Sequence, residues 1–189
     1  MLKKNIFAAA FAVACALVSA HASAQAYLGG TVGRAKWNLD CAGTDSCTTT
    51  ASGYKLYTGY EFTSFVGVEA AYVSLNEATA RIGGLSASFT GKGLDVAAVF
   101  KTPSYKNFQG FGKVGVAYMK GELTASFAGA SAADNSYSTQ GLIGFGALYQ
   151  LNKDISLRAE FDHRRVKVSG FNDSTSNVNM FSVGIQSVF

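Results

Sequence analysis

Apolar and polar side chains alternate along much of this chain, most clearly in the segment SLRAEFDHRR at residues 156–165. There Leu157, Ala159 and Phe161 alternate with charged residues. A period of two predicts a β-strand whose two faces lie in different surroundings. In a soluble protein the apolar face packs into a core. In a barrel embedded in lipid the apolar face points outward, and the charges need partners inside.

Eight segments of this kind follow one another, and none has a sustained helical period. They span residues 26–37, 53–62, 65–75, 92–101, 108–123, 137–151, 155–168 and 177–189. Long polar connections at 38–52, 76–91, 124–136 and 169–176 alternate with short turns. This alternation is typical of an outer-membrane barrel, so we predict an all-β fold, an eight-stranded antiparallel up-and-down transmembrane β-barrel. The short turns and both termini are then expected on the periplasmic side.

Aromatic residues gather near both ends of the predicted strands. Trp37, Tyr54, Tyr118 and Tyr137 lie toward the long connections, and a second group lies toward the short turns. Aromatic belts are expected at the two water interfaces of a membrane. The aromatic pattern therefore favours a barrel whose apolar faces point outward.

The N-terminus predicts export. Two lysines precede an apolar run, which is followed by the small-residue motif ASA at 22–24, and this order is typical of a secretory signal peptide. We predict a signal peptide at 1–24 and a barrel domain at 25–189. Cys15 within the run leaves a lipoprotein signal as the alternative.

Composition narrows the classes of function and partner. The formal charge is +4 at pH 7, and part of it leaves with the lysines of the signal peptide. Because no basic run with interleaved aromatics occurs, we expect no nucleic-acid partner. Cys41 and Cys47 remain in the first long connection, and in an exported protein such a pair is expected to form a disulfide rather than a metal site. We expect no cofactor and no metal.

Four segments resemble a known family. They are YLGGTVGRAKW, GYKLYTGYEF with FVGVEAAYV, LRAEFDHRRV and NMFSVGIQSVF. Together they resemble the transmembrane domain of the OmpA family over essentially the whole mature chain. The resemblance implies a small eight-stranded barrel in the outer membrane of a Gram-negative cell, with charged residues in its interior. Phe189 at the C-terminus resembles the signal that the barrel-assembly machinery recognises.

The charged faces predict a network inside the lumen. Its members are Glu69, Lys113, Arg158 and Glu160 at comparable heights and, above them, Asp162 and Arg164 with Lys55 and Asp95 as expected partners. A charge on the lipid face costs about 2–4 kcal/mol at mid-membrane. We therefore expect the charged rows to point inward and to pair with one another.

Three functions fit a barrel of this size. The interior of an eight-stranded barrel is just wide enough for side chains. This favours a structural or surface-interaction barrel, with at most small-ion or water passage and with host or phage ligands at its extracellular loops. A lipid-modifying enzyme needs a nucleophile beside a base, and His163, the only histidine of the mature chain, has no organised acid–base pattern near it. A soluble exported barrel that binds a small apolar ligand would turn the charged rows outward. We predict the first function and no catalytic residue.

Cations gather at the ends of the strands that lead into the long connections. They are Lys36, Arg81, Lys92, Lys120, Arg165 and Lys167. Such side chains can pair with the phosphates of a glycolipid in the outer leaflet. A solvated rim is the alternative, because acidic residues lie nearby. The expected partners are outer-membrane lipids, including glycolipid phosphates.

Overall fold

The computed structural model describes residues 25–38, 43–127, 130–167 and 175–189. The strands are β1 (Gln25–Trp37), β2 (Ser46–Thr48), β3 (Thr50–Glu61), β4 (Val66–Ile82), β5 (Leu85–Lys101), β6 (Phe108–Phe127), β7 (Ala130–Gln150), β8 (Ile155–Lys167) and β9 (Thr175–Val188). In this part of the chain no helix is long and apolar enough to span a membrane. The predicted signal peptide at 1–24 lies outside the described residues and stays a prediction.

Eight of these strands close into an antiparallel barrel. The order around the wall is β1, β3, β4, β5, β6, β7, β8 and β9, and β9 pairs with β1 to complete the ring. The short β2 belongs to the first long connection and pairs with the far end of β4. The predicted all-β, eight-stranded barrel is confirmed. β2 is an addition, because three residues are too few to produce a detectable period.

The strands are staggered around the barrel. Following register partners once around the wall from Ala26 leads back to β1 at Lys36, ten residues further along the strand. Such a stagger tilts the strands against the barrel axis. Residues at equal height on neighbouring strands are therefore offset by about one residue from register partners.

Two hairpins are longer than the sequence predicts. β4 and β5 run through the segment 76–91, and β6 and β7 occupy most of 124–136, although both segments were predicted to be loops. That prediction was wrong because neither face of a strand has to be apolar beyond the membrane, so the alternation ends while the hydrogen-bonded ladder continues. Gly83 and Gly84 form the tip between β4 and β5 with φ values of 51° and 87°, which suit a tight two-residue hairpin turn.

The wall of the barrel is apolar outside and carries buried charges on its inner face. Large apolar side chains at least half exposed on the outer face include Leu28, Val32, Leu94, Val116, Ile143, Phe145, Phe181 and Ile185. Four charged side chains of β8 are buried on the inner face, namely Arg158, Glu160, Asp162 and Arg164. This is the reverse of the arrangement expected for a soluble exported barrel. It is the arrangement that a lipid environment requires.

Trp37 departs from the predicted aromatic belts. The side chain is only 1% exposed, because the odd-numbered positions of β1, including Tyr27 and Thr31, point into the lumen. Tyr54 and Tyr118 remain on the outer face, as predicted. The sequence did not reveal that Trp37 points inward, because the glycines of β1 interrupt the alternation of apolar and polar residues.

Candidate functional site

Eight charged side chains from five strands meet in the middle of the lumen, and we call them the charge network. They are Lys55 of β3, Glu69 of β4, Asp95 of β5, Lys113 of β6, and Arg158, Glu160, Asp162 and Arg164 of β8, none more than 4% exposed. The two-residue period of each strand carries them to the inner face. Four are cations and four are anions, so the network is neutral overall.

Arg158 is the centre of the network on the side of the short turns. Its Nε and Nη2 donate to Oε2 of Glu160 at 2.9 and 2.7 Å, and its Nη1 lies 2.7 Å from Oε2 of Glu69. The rings of Tyr57 and Phe111 have their centroids 4.2 and 4.4 Å from the guanidinium carbon. The planar cation is thus held by two carboxylates and two aromatic rings.

Two lysines connect this part of the network to Asp162. Lys113 Nζ lies 3.1 Å from Oε2 of Glu160 and 2.7 Å from Oδ1 of Asp162. Lys55 Nζ lies 3.2 Å from Oδ2 of Asp162 and also pairs with Glu160. The charges therefore form one continuous cluster, and the lysines link the two heights that the sequence distinguishes.

Arg164 completes the network on the loop side, by which we mean the end of the barrel that carries the long connections. Its Nη2 lies 3.0 Å from Oδ2 of Asp162 and 3.1 Å from Oδ2 of Asp95. Gly144 makes room beside these groups, since a Cβ at this position would lie 2.4 Å from Oδ1 of Asp162. Any larger residue would push the carboxylate away from its partners.

On the loop side the lumen is filled by apolar side chains that the sequence analysis did not find. This apolar plug consists of Ala35, Trp37, Ala51, Val73, Leu75, Ala78, Ala97, Ala117, Met119, Leu142, Val178 and Met180, none more than 5% exposed. Interior side chains pack at nearly crystalline density, so the plug leaves little room for water. The sequence signal for this plug was that Trp37, Leu75 and Met119 occupy positions on the inner faces of their strands. This signal could be recognised only after the faces of the strands were known.

On the side of the short turns the lumen opens into a polar cavity of about 320 Å³. Glu61 and Lys101 line this cavity and form an ion pair. Gln186 also lines it and accepts a hydrogen bond from Nη1 of Arg158 at 3.1 Å. The cavity therefore reaches the charge network, which separates it from the apolar plug.

Most of the predicted loop-side cations lie on the outer face. When the stagger is applied to the register, Lys36, Lys92, Lys120 and Arg165 fall within about one residue of the same height. Arg81 lies further out on the hairpin of β4 and β5. The side chain of Lys167 lies outside the described part of the chain. Arg34, which the sequence analysis did not single out, is exposed on β1 two positions before Lys36.

His163 lies on the outer face of β8 near its loop-side end. Its Nδ1 is 2.6 Å from Oδ1 of Asn179 on β9, so its hydrogen-bond partner is a carboxamide and not the hydroxyl of a nucleophile. Within the described ranges no group of three or more His, Cys, Asp or Glu side chains could hold a metal ion.

Two further predicted positions lie at the edges of the described structure. Cys47 is in β2 and is disulfide-bonded, whereas Cys41 lies outside the described residues, so the pairing of these two stays a prediction. The backbone N of Phe189 donates to the carbonyl oxygen of Ala26 at 2.9 Å. The role of Phe189 as an assembly signal also stays a prediction.

Comparison with known proteins gives one family and a set of similar folds. The family model for the outer membrane protein beta-barrel domain matches residues 6–189. Ail of Yersinia pestis, in complex with the heparin analogue sucrose octasulfate, is similar with a TM-score of 0.61 and 16% identity, over 89% of this chain and 100% of that chain. Neisserial surface protein A has a TM-score of 0.64 and 11% identity over 87% and 97%. OprG of Pseudomonas aeruginosa has 0.56 and 17% over 89% and 96%. None of the curated proteins compared with the chain matches it.

Proposed function

The chain belongs to the outer membrane protein beta-barrel domain family, and we propose that it is a closed, non-enzymatic barrel with a structural or surface-interaction role. It is an outer-membrane protein, and in this proposal the wall holds it in the bilayer while the long hairpins act at the cell surface. The lumen serves as a rigid filled core and carries no solute.

The observation that carries this proposal is that two different barriers to ion passage follow one another along the lumen. These two seals, as we call them, are the charge network and the apolar plug. The charge network is neutral and each of its eight members has an ion-pair partner, so an ion that entered would have to break existing ion pairs. Apart from the indole N–H of Trp37, the side chains of the apolar plug offer no polar group to a permeating ion, and burying an unpaired charge there is costly. Either seal alone opposes conduction, and together they argue against a porin.

The long hairpins support a role at the surface. A transmembrane strand needs about 9–11 residues, whereas β6 has 20 residues and β7 has 21. About half of each strand therefore extends beyond the bilayer. Loops and hairpins held on a rigid scaffold are where binding functions concentrate. Host or phage ligands are the candidate partners there.

Two further partners are part of the proposal. The cations at equal height on the outer face are suited to the phosphates of outer-leaflet glycolipid. Phe189 is proposed as the residue that the barrel-assembly machinery recognises. Both proposals agree with an orientation in which the short turns face the periplasm.

The proposal is tested by measuring conductance of the mature chain in planar bilayers. We expect no channel openings from the wild type. Single variants Trp37→Ala and Arg158→Met should also remain closed, because each weakens one seal and leaves the other. The double variant should pass ions. A general porin serves as the positive control, and stable porin-sized conductance of the folded wild type would overturn the closed-barrel function.

A further inference from the structure

Three neighbouring strands carry a compact polar surface on the outer face at the loop side. Lys36 of β1 is the register partner of Asn179 of β9, and Asn179 is the register partner of His163 of β8. Cross-strand partners on one face have their Cβ atoms about 4.5–5.5 Å apart. The three side chains therefore form a continuous row across the strands, which we call the polar row.

The polar row lies in a cleft. Its volume is about 320 Å³, and it is lined by Lys36, Asn38, His163, Asn177 and Asn179. No carboxylate is among these lining residues, so the charge that the cleft presents is that of the lysine. Elsewhere on the same rim the situation differs, because Lys120 Nζ lies 3.7 Å from the carboxylate of Glu122.

The cleft lies directly beside apolar surface. Phe181 and Phe161 are register partners and occupy the next outward positions on β9 and β8 toward the short turns, with Phe181 58% exposed. Arg34 is the partner of Phe181 on β1, and Arg165 is the partner of Asn177. The cleft is therefore bounded by cations and lies where the outer face changes from apolar to polar.

The hydrogen bond between His163 and Asn179 decides which group of the carboxamide is left for a ligand. With Oδ1 of Asn179 2.6 Å from Nδ1 of His163, the oxygen is engaged and the amide NH₂ remains as the donor. The carboxamide of Asn177 adds a further donor at the cleft wall. A cation combined with several N–H donors is complementary to a phosphate group.

We propose that this cleft binds the phosphate group of an outer-leaflet glycolipid, with the acyl chains of that lipid lying on the apolar face below. Lys36 supplies the charge, Asn179 supplies a donor, and His163 acts as a positioning residue that holds the carboxamide of Asn179. The proposal rests on the proposed function in one respect, since it requires the long hairpins to face the outer leaflet. It adds one defined lipid site to the phosphate contacts already proposed for the loop-side cations.

The test is equilibrium binding of diphosphoryl lipid A to the purified mature chain in detergent, measured by native mass spectrometry. Lys36→Gln and Asn179→Leu should each weaken binding about tenfold, as expected for the loss of one charge-assisted hydrogen bond. Lys92→Gln is the matched control, because Lys92 has the same chemistry, exposure and height on another part of the wall, and it should change binding less than twofold. Dephosphorylated lipid A should bind at least tenfold more weakly than the phosphorylated lipid.

His163 is tested as a positioning residue by rescue. His163→Phe should weaken binding, whereas His163→Gln should restore it, because the glutamine amide can still donate to Oδ1 of Asn179. Failure of His163→Gln to bind better than His163→Phe would overturn this role. Retention of the heat-modifiable electrophoretic band shows that each variant is folded. If Asn179→Leu does not fold, the site is still tested by Lys36→Gln, because this substitution changes only an exposed side chain.

Two results would overturn the site. Equal binding of lipid A to Lys36→Gln, Lys92→Gln and the wild type would mean that the rim attracts lipid without a defined cleft. Complete competition by inorganic phosphate at the concentration of the lipid would assign the cleft to free phosphate. Neither result bears on the conductance experiment, so a closed barrel without this site remains distinguishable from a conducting one.

Discussion

Replacing Arg158 by methionine removes one cation from a buried, neutral network of four cations and four anions. The arginine contacts the carboxylates of both Glu69 and Glu160. After the substitution three cations must serve four carboxylates inside the lumen. Methionine fills much of the volume that the arginine occupies between the rings of Tyr57 and Phe111, so the main effect of the substitution is electrostatic.

The size of the effect follows from these contacts. Removing one partner of a buried ion pair costs about 3–5 kcal/mol, because the remaining charge is left without compensation. We therefore expect Arg158→Met to lower the free energy of unfolding by about 3–5 kcal/mol. Combining it with Glu69→Gln restores neutrality, and this second change should return about 1–3 kcal/mol of the loss.

Unfolding in urea can be followed in lipid vesicles by fluorescence, because Trp37 is the only tryptophan of the chain and lies buried in the apolar plug. Arg165→Met is the matched control, since it removes the same side chain from the exposed face of the same strand. It should change the unfolding free energy by less than about 0.5 kcal/mol. An Arg158→Met variant that unfolds within about 1 kcal/mol of the wild type would refute the view that the charge network organises the lumen.

Further measurements address the wall, the first loop and the surface hairpins. Gly59→Ala should lower the unfolding free energy by about 1–3 kcal/mol, because the new Cβ would lie 2.1 Å from the Tyr27 ring. Gly141→Ala is the control, because the space around Gly141 is open, and equal stability of the two variants would contradict the packing argument. Mass spectrometry of alkylated, unreduced protein should find no free thiol, with Cys47 bonded within the first long connection, and reduction should leave the barrel folded; two free thiols would contradict the disulfide. Protease added to intact cells should cut at hairpin tips such as Gly83–Gly84 and spare the short turns, and cleavage confined to the short turns would reverse the proposed orientation.

The alternation along β8 was enough to predict the strand, and the predicted membrane environment then decided which of its faces points inward. A two-residue period is a local property of the extended backbone, and the cost of a charge in lipid decides which face points inward. The same reasoning predicted that the apolar faces point outward, as Val116 and Phe181 do in the structure. The glycine pair 83–84 is a further local signal for a tight hairpin turn.

Other features depended on how the strands close into a ring. Which carboxylate meets Arg158 or Lys113 depends on the stagger of the strands, and no single strand contains this information. The apolar plug around Trp37 and Met119 and the row formed by Lys36, Asn179 and His163 likewise combine residues that are distant in the sequence. Local periodicity determines the face on which a side chain lies. The closed hydrogen-bonded ladder sets heights and neighbours, because it alone relates the register of one strand to that of every other.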